Sequence, residues 1–428
     1  MGDTMTKRKH HSLYGQILQR LDTAFAKVKA NRGAAGIDGE SIAEFEQDLE
    51  ANLAQLKRDL KEKTYAPQPV RRVYIPKASG GQRPLGIPTV RDRVVQQALR
   101  LVLEPVFEPL FCDSSYGFRP GRSAHQALDR VSGHLREGYK WVVDCDLKSY
   151  FDTIPQEALI DRVAEEVADG TVLKLIRSFL QAGVMSEGQL QRTIAGTPQG
   201  GVISPLLANI YLHGFDQLME DRGLRLTRYA DDFVILCRTQ RAAERVMGNV
   251  QSYLEGQLGL TVNREKSKVV HLSEGFVFLG YEFGTWGRRP GPKAILRFKQ
   301  RIRELTRRNQ TIPVDKMVRE QLNPYLQGWA GYFGYGQVRQ RFLDYDKWIR
   351  RRLRMVQLRS WRHMKGLHRA MRQKGWKGPL PAVYVNMRRW RSSVHSLVNY
   401  ALGPDWIRGL GLVSLVDFHR PTMVTVTR

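Results

Sequence analysis

The sequence predicts an α+β chain in two parts: a body that mixes strands and helices up to residue 290, and a helical, strongly basic C-terminal third. Strand-like runs at 70–88, 140–147, 224–237 and 276–283 are interleaved with helical segments, and such runs largely stop beyond 290. The charge divides at the same place. Residues 1–290 carry 39 Lys/Arg and 35 Asp/Glu, whereas 291–428 carry 29 and 7.

Each element follows from its local pattern. The start, MGDTMTKRKHHSLYG, has basic residues but no apolar run behind them, so no secretory signal is expected. NRGAAGIDG (31–39) reads as a loop. Residues 41–63 read as one helix, because Ser41 and Glu44 have capping-box spacing and Leu49, Leu53, Leu56 and Leu60 recur at helical intervals. In 70–88, two strand-like runs flank Ala-Ser-Gly-Gly, which predicts a β-hairpin with a basic tip. Helix returns at 91–107. KWVVDCDL (140–147) is a buried-type strand, and 203–220 a helix with Ser204 as N-cap and Pro205 at its first position. LRLTRYADDFVILC (224–237) reads as two strands joined at a tight turn, and FVFLGYEF (276–283) as a short hairpin. Between Lys347 and Pro404 there are 15 Lys/Arg and no Asp or Glu, interleaved with Trp348, Trp361, Trp376 and Trp390. That pattern suggests packed helices with one face given to phosphates. The expected domains are an N-terminal helical extension (1–65), a central unit (66–290), a basic helical unit (291–392) and a C-terminal segment (393–428).

The whole-chain balance narrows the function. A net charge of +26 and a pI near 10.2 exceed what solubility requires and point to a polyanion, nucleic acid first. No apolar run approaches the roughly 20 residues of a membrane span, so no membrane partner is expected. Three cysteines, Cys112, Cys145 and Cys237, are too few and scattered for a disulfide framework, which fits a reducing cytoplasm. No HExxH, GxSxG or Walker A pattern is present, which removes support from metallohydrolase, serine hydrolase and P-loop ATPase readings.

The carboxylates carry the chemistry. Asp231 and Asp232 lie between apolar strand runs, at a hairpin turn. Asp is an ordinary turn residue, so this pair alone reads as structural. Asp144 and Asp146 end a buried strand, on one face of it, where charge is costly unless paired or metal-bound. Either could hold a metal. Three carboxylates from two strand ends are what two-metal phosphoryl transfer requires, and Mg²⁺ accepts a few Asp oxygens completed by substrate and water.

With these residues in view the chain resembles the reverse transcriptase and maturase proteins encoded by bacterial group II introns. The resembling blocks run in order: NRGAAGIDG (31–39), YIPKASGGQRPLGIP (74–88), SSYGFRPGRSAHQAL (114–128), DLKSYFDTI (146–154), GTPQGGVISPLLANIYL (196–212), RYADDFVILC (228–237), LGLTVNREKSKVV (258–270), FLGYEF (278–283) and LNPYLQGWAGYFGYG (322–336). The resemblance implies a right-hand polymerase fold, with fingers and an antiparallel palm followed by a helical thumb or maturase domain. It implies Asp146, Asp231 and Asp232 as ligands of two Mg²⁺ ions, with Mn²⁺ as a substitute, and so favours Asp146 over Asp144. It places Phe151 as a steric gate beneath the incoming sugar, Lys77 and Arg83 on the dNTP triphosphate, Gln199 on nucleotide and template, and Lys266 as a candidate acid for pyrophosphate release. Arg350, Arg351, Arg352 and Arg354 of the cationic run become candidate RNA contacts. The implied partners are group II intron RNA, an RNA template with a DNA or RNA primer, dNTPs and target DNA.

Many relatives continue into a zinc-binding HNH endonuclease domain. This sequence shows no Cys pair or HNH-like cluster before residue 428, and on that ground resembles the compact, group IIC-like members. Two other readings share the motifs: a stand-alone or CRISPR/defence-associated reverse transcriptase, and a non-catalytic RNA-folding maturase. An intron RNA with a domain V-like hairpin in the flanking DNA separates the first from an intron protein. Absence of dNTP incorporation marks the second.

Overall fold

Ser41 opens the first capped helix as its spacing predicts: its hydroxyl accepts from the Glu44 amide while the Glu44 carboxylate accepts from the Ser41 amide. The helix is not continuous, however. The computed structural model describes residues 9–76, 81–186, 189–191, 195–197, 200–309, 311–380 and 385–421. In it, helix α1 (Leu21–Asn31) is followed by α2 (Ile42–Gln47) and α3 (Leu49–Lys61), parted at Asp48. The leucine spacing masks that break, because a one-residue interruption leaves Leu53, Leu56 and Leu60 on one buried face.

The chain forms two compact units, Met1–His271 and Leu272–Arg428. In the first, strands β1 (Val70–Pro76) and β2 (Gln82–Ile87) make the expected antiparallel hairpin, in register from Arg71 opposite Ile87 to Pro76 opposite Gln82. Helix α4 (Val90–Phe107) follows, capped by the Thr89 hydroxyl. The strands β3 (Trp141–Cys145), β4 (Val184–Ser186) and β5 (Gln189–Gln191) come next, with a short helix α5 (Tyr150–Thr153) between β3 and β4. Helix α6 (Ser204–Asp221) begins with Ile203, not Ser204, as its N-cap, and Pro205 lies in its first turn. Ser204 is buried as the first helical residue, so the expected cap is displaced by one position. Strands β6 (Arg225–Tyr229) and β7 (Asp232–Cys237), helix α7 (Gln240–Gly256) and strand β8 (Lys268–His271) complete the unit.

Two sheets result. The central one has the order β6-β7-β3-β8 and is antiparallel throughout, as the palm expectation requires. The other has the order β2-β1-β4-β5, with β1 and β4 parallel, a long-range pairing that no local pattern announces. One apolar core joins α1, α3, α4 and α6 to the inward faces of β3 and β7, with Leu99, Val143, Leu212 and Ile235 fully buried.

The second unit begins earlier than the charge pattern suggests. Strands β9 (Phe276–Phe278), β10 (Tyr281–Gly284) and β11 (Gly287–Pro290) form a three-stranded antiparallel sheet that belongs to it. Tyr281 packs on Tyr332 and Phe333 of a helix some fifty residues further on, and donates its hydroxyl to the Tyr332 carbonyl. The rest is helical, as expected: α8 (Pro292–Leu305), α9 (Asn323–Phe333), α10 (Arg339–Trp361), α11 (Met364–Gln373) and α12 (Ser396–Ala401). Met355 and Leu358 of α10 meet Leu367, Met371, Val385, Met387 and Val398 in a second core. The segment after 393 packs into this unit, with Ser414 and the Leu415 amide donating to the buried Asp346 carboxylate. No described helix is long and apolar enough to cross a membrane.

Candidate active site

The β6–β7 turn and the end of β3 bring the sequence-predicted carboxylates to one edge of the central sheet. Tyr229 pairs with Asp232, which leaves Ala230 and Asp231 as a two-residue turn. Ala230 takes φ 59°, the left-handed conformation that the first position of a type II′ turn demands. Strand β3 lies against β7 with Cys145 opposite Phe233. Carrying that register on by one residue sets Asp146 across from Asp232, so Asp146 lies beside the Asp231–Asp232 turn.

Asp146 is held from the other side. Its amide donates to Ser267 Oγ at 3.1 Å, and its Oδ2 accepts from Asn263 Nδ2 at 2.9 Å and pairs with Lys266 Nζ at 3.3 Å. Lys266, expected on the leaving-group side, is thus placed on a carboxylate. Asp144 shares the Asp146 face but sits deeper. Burial pushes its carboxyl up to about 6, Lys268 opposite pulling it down and Asp146 adding to the rise.

Beneath the turn lies a buried ion pair that the sequence reading did not single out. Arg228 and Asp216 have fully buried side chains, with Arg228 Nε donating to Asp216 Oδ1 at 2.7 Å and Nη2 to Oδ2. The same guanidinium donates to the Ala230 carbonyl at 2.8 Å, Asn209 Oδ1 at 3.0 Å and Ser115 Oγ at 2.8 Å. Burial pulls the guanidinium down, but the adjoining Asp216 carboxylate more than offsets this and holds it above its ordinary value. Asn209 also donates to the Gly117 carbonyl. Gly117 itself is pressed against the turn: a Cβ there would lie 2.3 Å from the Ala230 nitrogen. A signal was available, since Asp216 lies on an apolar helix and Arg228 in a buried-type strand, where charge needs a partner.

The remaining predicted residues take varied places. Phe151, on α5, is half-buried, 6.4 Å from the Phe118 ring, and its carbonyl accepts from the Thr197 amide. Phe118 is itself 6.5 Å from Tyr229, so three rings border the turn. Phe118 and Ser149 share with Ala230 a positive φ, at 61° and 51°, and such residues cost about 1–3 kcal/mol each and cluster at functional sites. Lys77 and Gln199 lie outside the described residues; of Arg83 only the backbone is described, paired with Ile75. Beside Gln199, Gly200 (φ 111°) approaches β2 so closely that a Cβ would meet the Gly86 oxygen at 2.4 Å. A cleft of about 320 Å³ opens between Arg72, Tyr74, Gly86, Asp152 and Thr197. In the second unit, Arg351 donates to Ser393 Oγ, Arg352 to the C-terminal end of α8, and Arg354 to the Leu402 carbonyl and Asn399, so these three are bound within the protein. Arg350 is half-buried, its Nε buried without a hydrogen-bond partner among the described residues.

The donor set suits a hard divalent cation: carboxylate oxygens at adjoining strand ends, the Asp146 one already beside a cation. Among the described residues no three such side chains converge as a preformed cage.

Comparison with known proteins gives this geometry a family. Reverse transcriptase (RNA-dependent DNA polymerase) matches residues 75–283, and the group II intron maturase-specific domain matches 295–376. Protein YkfC of Escherichia coli (strain K12) is 37% identical over 284 residues, 58% of this chain and 74% of its own length. The chain belongs to the group II intron reverse transcriptase/maturase family. Group II intron-encoded protein LtrA of Lactococcus lactis subsp. cremoris is 31% identical over 326 residues, 60% of this chain and 54% of its own, so the chain spans about half of that relative. Among solved structures, a partial Cas6-RT-Cas1--Cas2 complex aligns with a TM-score of 0.37 and 25% identity over 57% of this chain and 43% of that one. Reverse transcriptases generally use divalent metal ions. The first match holds all three carboxylates, and the second begins at α8.

Proposed function

We propose that this group II intron reverse transcriptase/maturase copies RNA into cDNA by two-metal nucleotidyl transfer, and that its basic unit binds intron RNA to promote splicing and mobility. The carrying observation is the β3–β7 register, which sets Asp146 beside the Asp231–Asp232 turn. These three side chains would hold two Mg²⁺ ions, or Mn²⁺ in their place. When bound, the metals lower the pKa of the primer 3′-hydroxyl and neutralise the triphosphate and the departing pyrophosphate. The chain's own residues orient the reactants. Asn263 and Ser267 fix Asp146, and the Arg228–Asp216 pair fixes the turn. Phe151 borders the space for the incoming sugar, where a ring would exclude a 2′-hydroxyl. Lys77 and Arg83 serve the triphosphate; Gln199 serves base and template. Lys266 balances the Asp146 charge and would serve as the acid for pyrophosphate release. The double replacement Asp231→Ala and Asp232→Ala should abolish Mg²⁺-dependent cDNA synthesis while RNA affinity is kept. Undiminished synthesis would sink the site, and a wild-type chain that binds intron RNA but incorporates no dNTP would leave only the RNA-folding role.

A further inference from the structure

Within the C-terminal unit a cavity of about 860 Å³ opens between the last turn of α8, the face of α10 and residues 388–390. Six arginines line it: Arg303, Arg307, Arg308, Arg352, Arg359 and Arg388. The single carboxylate among its lining residues, Glu304, is turned to its own helix, where it accepts from Arg301 at 3.1 Å and Gln300 at 3.2 Å. Among the described residues none of the six makes an ion pair, so six like charges gather against one carboxylate.

The cluster is nonetheless built rather than loose. Arg352 donates through Nη2 to the carbonyls of Arg303 and Thr306 and through Nε to the Thr306 hydroxyl, where the negative end of the α8 dipole holds a cation. Arg308 Nη1 donates to the Arg388 carbonyl at 3.0 Å, tying the 388–390 wall to the end of α8. Burial first, and then the neighbouring Arg303 and Arg308, pull the Arg352 guanidinium below its ordinary value. Trp390 completes the wall, with the Arg351 guanidinium 4.7 Å and that of Arg352 5.9 Å from its ring centre. Met355, buried in the second core, lies at the base. Arg388 and Trp390 fall beyond the residues matched by the maturase domain.

We propose that this cavity receives one unpaired nucleotide of a structured RNA, with its flanking phosphates on the arginines and its base against Trp390. The proposal rests on the reading that the basic unit binds RNA, and it specifies the form of RNA. A concave site of this volume is the size that takes a small ligand, not a double helix, whose phosphates run along a convex rod. Guanidinium forks match phosphate oxygens in pairs, and aromatic rings and guanidinium planes are the surfaces on which an unstacked base stacks. An acidic peptide would meet the charge but gives the Trp390 ring no stacking partner.

The test compares, with the full chain at near-physiological salt, a fully paired RNA hairpin and the same hairpin carrying one bulged adenosine. Wild type should favour the bulged RNA about tenfold, the scale of one base stacked on an aromatic ring. The double variant Arg307→Glu/Arg388→Glu should bring the ratio to about one; both side chains are exposed and make no described hydrogen bond. As a check independent of any variant, a thiouridine at the bulge should crosslink under ultraviolet light within 303–309, 352–359 or 385–390. Equal wild-type affinity for the two RNAs, an undiminished preference in the variant, or crosslinks confined elsewhere would overturn the cavity's role and leave general RNA binding standing. Failure of wild type to bind either RNA would overturn both.

Discussion

Replacing Arg228 by Met isolates what the buried ion pair does for the catalytic turn. The wild-type guanidinium makes two bonds to Asp216 and one each to the Ala230 carbonyl, Asn209 and Ser115, with both charged side chains sealed from water. Removing one partner of a buried pair leaves the other charge uncompensated, which costs about 3–5 kcal/mol, and Met restores only the volume. At about 1.4 kcal/mol per tenfold, a loss near 4 kcal/mol should speed hydrogen exchange of the protected amides in Arg225–Cys237 by roughly a thousandfold, read by mass spectrometry. The double replacement Asp216→Leu/Arg228→Met removes both charges together and should recover most of that protection, because an apolar pair of similar volume is often neutral or better. It should not recover cDNA synthesis, since the Ala230 carbonyl still lacks its donor and the turn its anchor. Two results refute the reasoning: an exchange change below tenfold in Arg228→Met, or full turnover in the double variant.

Three further outcomes follow from the same geometry. Gly117→Ala puts a Cβ 2.3 Å from the Ala230 nitrogen and 2.9 Å from the Tyr229 carbonyl carbon, both backbone, so the turn must shift. Overpacking of this kind costs about 1–3 kcal/mol, and cDNA synthesis should fall while RNA affinity in a filter-binding assay holds. Burial and the neighbouring Arg130 hold the His134 imidazole below its ordinary value, partly opposed by Glu137 at 3.6 Å. The unfolded chain therefore takes up that proton first. The stabilising contribution is complete above the unfolded-state pKa of about 6.5 and declines as pH falls below it, so His134→Phe should flatten the slope of the urea midpoint between about pH 7 and 5. An identical slope in both proteins would refute this. A fragment ending at His271 should stay monodisperse by light scattering, whereas one ending at Pro290 exposes Phe276, Phe278, Tyr281 and Phe283, each at most 1% exposed in the whole chain, and should aggregate.

What the sequence disclosed was whatever is encoded locally. The β6–β7 turn was legible because apolar runs flank two turn-forming Asp residues, and Asp146 because a charge at the end of a buried strand demands a reason. The Ser41 capping box was legible for the same cause, as three residues decide it. Long-range contacts were not. The parallel pairing of β1 with β4 joins segments more than a hundred residues apart, and the break at Asp48 leaves the leucine phase intact. Arg228 and Asp216 lie twelve positions apart on different elements, and only the fold brings them beneath Ala230. Arg351, Arg352 and Arg354 looked like free cations because a charge run carries no record of the carbonyls and amides they bind.

The β9–β11 sheet has a consequence for how such chains can be recombined. Motif blocks invite a cut after FLGYEF, since that block reads as the close of the polymerase half. The aromatic faces of these strands are complementary to the helix carrying Trp329, Tyr332 and Phe333, so the inheritable module starts at Leu272. Chimaeras that exchange maturase units between relatives should therefore be joined after His271, keeping each hairpin with its own helices, and a library of crossover points should show its survivors concentrated there.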